Sequence, residues 1–99
     1  MGFRTKQVHA GVEPDPTTGA ILTPIFQSTT FVQESVDGYM DKGYSYSRGG
    51  NPTVRAFENK LTALEGGVET TAYASGMAAP VAVFLALLES GDHVLIAHV

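Results

Sequence analysis

Ala74-Ser-Gly-Met-Ala-Ala79 lies between a strand-like run, Glu69 to Ala74, and an apolar helical run that closes before Gly91. Strand, tight turn, helix is the repeating unit of an α/β sheet, so this stretch predicts an α/β fold. The turn is also where such sheets bind ligands, beyond the C-terminal ends of strands. The first N–H groups of a helix have no intrahelical acceptor, and the dipole is positive there, so anions are attracted. Gly76 removes a Cβ that would hold a phosphate away. Ser75 can cap the helix or donate a hydrogen bond. The amides of Gly76 and Met77 can face an oxyanion. Pro80 lacks an N–H, which costs little only in the first turn, so the helix is predicted to begin near Met77. On these residues alone, a serine-capped structural turn explains the segment better than an anion site does.

Outward from this turn, the second half of the chain is regular. Asn51 is placed as an N-cap with Pro52 at the first helical position. Val54, Phe57, Leu61 and Leu64 recur at spacings of three and four and form one apolar stripe. Gly66-Gly67 ends that helix. Val81, Phe84, Leu85 and Leu88 mark a face of the next helix. His93 to His98, with Val94, Leu95 and Ile96 in a row, reads as a buried strand. The order is helix, strand, helix, strand, and two strands do not complete a sheet.

The first half is irregular. No helical or alternating period is sustained from Met1 to Gly50. Glu13-Pro-Asp-Pro-Thr-Thr-Gly19 is a turn-rich loop, and Pro24 argues against a central strand over Ile21 to Val32. Val36 to Met40 could form a short helical turn. Such an arm, over residues 1–50, is expected to lie on another surface, either the rest of its own subunit or a partner subunit. Within it, Tyr44-Ser-Tyr-Ser-Arg-Gly-Gly-Asn-Pro-Thr53 offers a phenol and a guanidinium. Alternate residues of an extended segment point the same way, so Tyr46 and Arg48 can converge on one anion, for which arginine's bidentate fork is suited, although taken alone the pair is better explained as a solvated loop with a surface arginine.

Composition narrows the classes. The 99 residues are 43% hydrophobic and 16% charged, which is not a disordered composition. The net charge of −4, with no basic block, argues against nucleic acid as a partner. The absence of cysteine excludes a disulfide framework and fits a reducing, cytoplasmic compartment. No apolar segment is long enough to span a bilayer and no targeting segment is visible, so the protein reads as soluble. His9, His93 and His98 are too scattered for a metal site. No dinucleotide-type glycine fingerprint and no Walker-type lysine loop occurs.

Taken in order, these motifs resemble the N-terminal part of the Cys/Met-metabolism pyridoxal-phosphate (PLP) enzymes, the family of cystathionine γ-synthase, cystathionine γ-lyase, methionine γ-lyase and O-acetylhomoserine sulfhydrylase. The resemblance begins at Thr5-Lys-Gln-Val-His-Ala-Gly11 and Pro14-Asp-Pro-Thr-Thr-Gly19. It continues through Pro24-Ile-Phe-Gln-Ser-Thr-Thr-Phe31, Tyr46-Ser-Arg48, Asn51-Pro-Thr53, Leu64-Glu-Gly-Gly67 and Ser75-Gly-Met-Ala-Ala79. Where Pro80 stands, the family more often has an ordinary apolar helix residue.

The resemblance implies a fold-type I PLP enzyme, with residues 1–50 as an N-terminal arm and 51–99 as the start of the large PLP-binding α/β domain. It implies that Ser75, Gly76 and Met77 hold the PLP phosphate and that Tyr46 and Arg48 reach it from the neighbouring subunit of a homodimer or homotetramer. It implies an amino-acid substrate and γ-elimination or γ-replacement in transsulfuration, with PLP as the electron sink. The family's chains are several times longer, and their Schiff-base lysine is expected beyond Val99. Lys6, Lys42 and Lys60 do not stand in its context, so the chain by itself is expected to be inactive. A non-catalytic fragment acting by subunit association, and a small anion-binding module outside the family, are the competing expectations.

Overall fold

The computed structural model describes residues 1–98. Three helices are present in chain order: α1, Phe3–His9; α2, Pro52–Glu65; and α3, Ala78–Leu87. The predicted domain 51–99 therefore ends on Val99, which lies outside the described residues.

Helix α2 is the frame on which the rest is hung. Asn51 caps it, its side-chain Oδ1 accepting from the Thr53 N–H at 2.8 Å, and Pro52 opens it. Gly66 closes it in the left-handed conformation, φ 67°, with its N–H on the Thr62 carbonyl. Both ends fall where the sequence puts them, because cap and stop are local chemistry. Helix α3 begins at Ala78, with Met77 as its N-cap residue, which leaves Pro80 inside the first turn as its missing N–H requires.

Two expectations are corrected. The arm is not without helical structure: Phe3–His9 forms α1, whose seven residues are too few for a stable period to show in the sequence. It is held from outside itself, since the Lys60 ammonium on α2 donates to the carbonyls of Gln7 and Val8 at 3.2 and 3.1 Å, satisfying its otherwise open C-terminal end. Next to it, Gly11 sits at φ +67°, so close to α2 that a Cβ would lie 2.8 Å from the Asn59 carbonyl group.

The second correction concerns the sheet. Among the described residues no strand ladder forms; Glu69–Ala74 and His93–His98 carry no strand pairing. A strand is stabilised by the strand beside it, and neither segment finds one here. Among the described residues one bridge joins Thr30 to Tyr46 in antiparallel fashion, through Phe31 N–H to Ser45 O at 2.9 Å and Ser47 N–H to Thr29 O at 2.8 Å. The α/β architecture predicted from the sequence is thus represented by its helices and by extended segments, not by a sheet.

Among the described residues no hydrophobic side chain is fully buried. Val54 and Phe57, half of the α2 stripe, are exposed. Helix α3 carries no charge on any face, the pattern of a helix enclosed by other elements, yet Leu85 is 81% exposed. The radius of gyration is 17.4 Å, against the roughly 12.6 Å that a closed domain of this length adopts.

Candidate functional site

The turn before α3 is built from a serine and two bare amides. Ser75 Oγ and the Ser75 carbonyl both accept from the Ala78 N–H, each at 3.2 Å. This fixes the entry to the helix through a serine turn, a variant of the expected cap. The N–H groups of Gly76 and Met77 have no acceptor among the described residues. A Cβ placed on Gly76 would meet nothing within 4 Å. The turn therefore presents two unsatisfied donors at the positive end of a ten-residue helix, with open space over the glycine.

Tyr46 and Arg48 are held in a second place. Tyr46 is pinned by the bridge to Thr30. The chain then turns, the N–H groups of Gly49 and Gly50 both donating to the Tyr46 carbonyl at 3.0 and 3.1 Å. The expected extended geometry thus stops at Ser47, but the two side chains still meet: the Arg48 guanidinium carbon lies 5.2 Å from the centre of the Tyr46 ring. Arg48 pairs with no carboxylate among the described residues. Its guanidinium lies over the phenol ring, a position from which its donors suit an anion.

This loop is tied down by Asn51. Beyond capping α2, its amide nitrogen donates to the Phe26 carbonyl at 3.0 Å and to Ser47 Oγ at 2.9 Å. Thr53 Oγ1 accepts from Phe26 N–H at 2.8 Å and donates to the Pro24 carbonyl at 3.2 Å. Ser47 Oγ in turn donates to the Ser28 carbonyl. The start of α2 thus holds both the Pro24–Ser28 segment and the Tyr46–Arg48 loop. The sequence offers Asn51 as a structural cap; that it is 8% exposed and spends its amide on two further groups becomes visible only in three dimensions.

The two groups of predicted residues are not joined within one chain. Among the described residues no hydrogen bond links Tyr46 or Arg48 to Ser75, Gly76 or Met77. Arg48 lines a groove with Arg55, Glu58, Tyr73 and Ala74, which stops one residue short of Ser75.

Two carboxylates elsewhere are held in their charged form. Asp15 lies below its ordinary pKa because the Thr18 hydroxyl and N–H donate to it, at 2.7 and 2.8 Å. Glu34 is lowered by a 2.8 Å hydrogen bond from the Lys42 ammonium and by that group's charge. Both lie in loops away from the α3 turn.

A helix start with free amides, a glycine with open space above it and an arginine without a carboxylate partner are groups chemically suited to an anion. Residues 4–99 match the family described as Cys/Met metabolism PLP-dependent enzyme, and the chain belongs to that family. It is 47% identical over 95 residues to a cystathionine gamma-synthase of Mycobacterium tuberculosis, covering 96% of this chain and 24% of that protein. It is 48% identical over 92 residues to a cystathionine beta-lyase of Coxiella burnetii, covering 93% of this chain and 23% of that protein. Among solved structures, metB from Corynebacterium glutamicum superimposes with a TM-score of 0.84 at 48% identity, over 94% of this chain and 24% of that one. The chain thus spans about a quarter of the length of the relatives it matches. No helix among the described residues is long and apolar enough to cross a membrane.

Proposed function

We propose that this chain is the N-terminal part of a fold-type I, PLP-dependent transsulfuration enzyme, of cystathionine γ-synthase or lyase type, acting on a sulfur-containing or γ-substituted amino acid. The observation that carries the cofactor site is the pair of acceptor-free amides at Gly76 and Met77, in a turn where Gly76 leaves the approach open. The residues present fit a phosphate monoester. Gly76 and Met77 donate through their backbone, and Ser75 Oγ adds a hydroxyl donor while its lone pair keeps the Ala78 N–H. Tyr46 and Arg48 supply a phenol and a guanidinium from the partner subunit, which accounts for their separation from the turn within one chain. When bound, PLP supplies the electron sink for cleavage at the amino-acid side chain. This chain's residues hold and neutralise its phosphate and so fix where the ring stands. The arm, residues 1–50, is the subunit contact, and residues 51–99 open the cofactor domain. The similarity to a protein named beta-lyase, alongside one named gamma-synthase, supports a family of related eliminations and replacements, and this segment favours neither outcome.

The test is subunit complementation in the full-length enzyme. Arg48→Ala and Met77→Pro, the latter removing one N–H at a residue whose φ of −81° suits proline, each weaken PLP binding by roughly 10- to 100-fold, the worth of one charge-assisted hydrogen bond. Mixing the two variant proteins under subunit exchange restores wild-type affinity at one site of each hybrid dimer, since one site collects both defects and the other neither. No recovery on mixing contradicts the shared site, and unchanged affinity in both single variants contradicts the phosphate assignment.

A further inference from the structure

Glu58 is the one carboxylate among the described residues that the fold encloses, 9% exposed in the middle of α2. In the sequence it follows Phe57 and stands four residues from Val54, at the edge of the apolar stripe, where a charge has to be matched by partners. The structure provides them. Glu58 Oε1 accepts from the Ala72 N–H at 2.8 Å, and Oε2 lies 3.5 Å from Arg55 one turn earlier on α2.

Ala72 stands three residues before Ser75. Between Val68 and Ala74, Ala72 has the only backbone N–H with an acceptor among the described residues. Two further ties precede it: the Thr62 and Thr70 hydroxyls are hydrogen-bonded at 2.7 Å, and Arg55 reaches Glu69 at 3.3 Å on the surface. A segment held at one backbone amide by a buried carboxylate cannot slide by a residue without breaking a charge-assisted bond, and a one-residue slip would turn every following side chain to the opposite face.

We infer that Glu58 is a positioning residue for the cofactor site: through the Ala72 N–H it sets the register of residues 69–74 and so the place of the Ser75-Gly76-Met77 turn relative to α2. Glu58 touches no ligand. Its effect on cofactor binding travels along the backbone from Ala72 to the bend at Ala74 and Ser75. The inference rests on the phosphate assignment above, and the test keeps the two apart.

The experiment measures PLP dissociation constants and the phosphorus NMR resonance of the bound phosphate in the full-length holoenzyme and its variants. Glu58→Ala weakens PLP binding roughly tenfold or more, the worth of a buried hydrogen bond to a charged group, and shifts or broadens the phosphorus resonance. Glu58→Gln keeps an oxygen acceptor for the Ala72 N–H and leaves affinity and resonance within about twofold of wild type. Lys60→Ala, which cuts α1 loose elsewhere on the same helix, lowers the melting temperature without moving either cofactor readout. Should Glu58→Ala fail to fold, Glu58→Leu keeps the bulk, removes the acceptor and is read in the same way. If Met77→Pro weakens PLP binding while Glu58→Ala or Glu58→Leu does not, the positioning role is wrong. A loss in Glu58→Gln as large as in Glu58→Ala also overturns it, because the acceptor is then not what matters. If neither Met77→Pro nor Arg48→Ala has an effect, the underlying phosphate assignment is what fails.

Discussion

Expressing the 99-residue chain alone removes whatever covers α3 and the α2 stripe, and the structure gives the size of the consequence. A closed monomer of 10.5 kDa exposes about 5,400 Å² by the usual scaling of surface with mass. This chain exposes 8488 Å². The excess of about 3,000 Å² exceeds a whole standard protein–protein interface. With roughly half of it apolar, at ~25 cal/mol per Å², the missing burial amounts to about 40 kcal/mol, several times the net stability of an ordinary domain. The isolated chain should therefore lack a fixed tertiary structure. In a thermal scan followed by circular dichroism, it should show a shallow, non-cooperative loss of helix signal. It should bind a hydrophobic dye such as ANS before heating, and its apolar α3 should drive self-association. A single sharp transition, with coincident near- and far-UV signals and no dye binding, would refute the reasoning, since it would show that these three helices stabilise one another without further cover.

Other consequences are read in the full-length protein. Gly11→Ala forces a left-handed residue to carry a Cβ against the α2 backbone and should cost about 2–5 kcal/mol; hydrogen exchange should show Phe3–His9 deprotected, and unchanged protection there would contradict the close approach. Asn51→Ala removes a cap and two donated hydrogen bonds, a loss of about 2–4 kcal/mol, whereas Asn51→Asp keeps the acceptor for Thr53 and should fall between the two; an aspartate variant as stable as wild type would show that the bonds to Phe26 and Ser47 contribute nothing. Glu34 has a folded pKa below its unfolded one, so its contribution is present above the unfolded value and lost as pH falls through the folded value. NMR titration should find its midpoint depressed at low salt and restored in Lys42→Ala, and a normal midpoint in the wild type would remove the ion pair from the account.

Where the sequence was legible, the chemistry was local. Asn51-Pro52 and Gly66 state the ends of α2 through a cap, a fixed φ and a left-handed stop, none of which needs distant residues. Pro80 located the start of α3 for the same reason. Helix α1 was not legible because what completes it, Lys60, stands 52 and 53 residues from the carbonyls it binds. The strands read at Glu69–Ala74 and His93–His98 failed to appear as a ladder because pairing is supplied by neighbours, not by β-propensity alone. The turn at Ser75-Gly76-Met77 was legible as the entry to α3, from Pro80 and the apolar run that follows it. Tyr46 and Arg48 were read as an extended pair facing one anion; in the structure a turn follows Tyr46 and Arg48 lies over its ring, an arrangement set by the Gly49 and Gly50 N–H groups rather than by alternation. Glu58 was overlooked; the signal was a lone carboxylate beside an apolar stripe. The wider role of Asn51 left no trace beyond its cap.

As the proposed opening part of a PLP enzyme, this chain holds the cofactor by its phosphate and leaves the covalent attachment to a lysine elsewhere. The measurement that meets this proposal most directly is borohydride reduction of the protein from its natural source in the presence of PLP, followed by intact mass and peptide mapping. The expected product is a polypeptide about four times the mass of this chain, the size of the relatives it matches, with one phosphopyridoxyl group per subunit on a lysine other than Lys6, Lys42 and Lys60. A specific adduct on one of those three lysines, or a protein that takes up no phosphopyridoxyl group, would contradict the proposal.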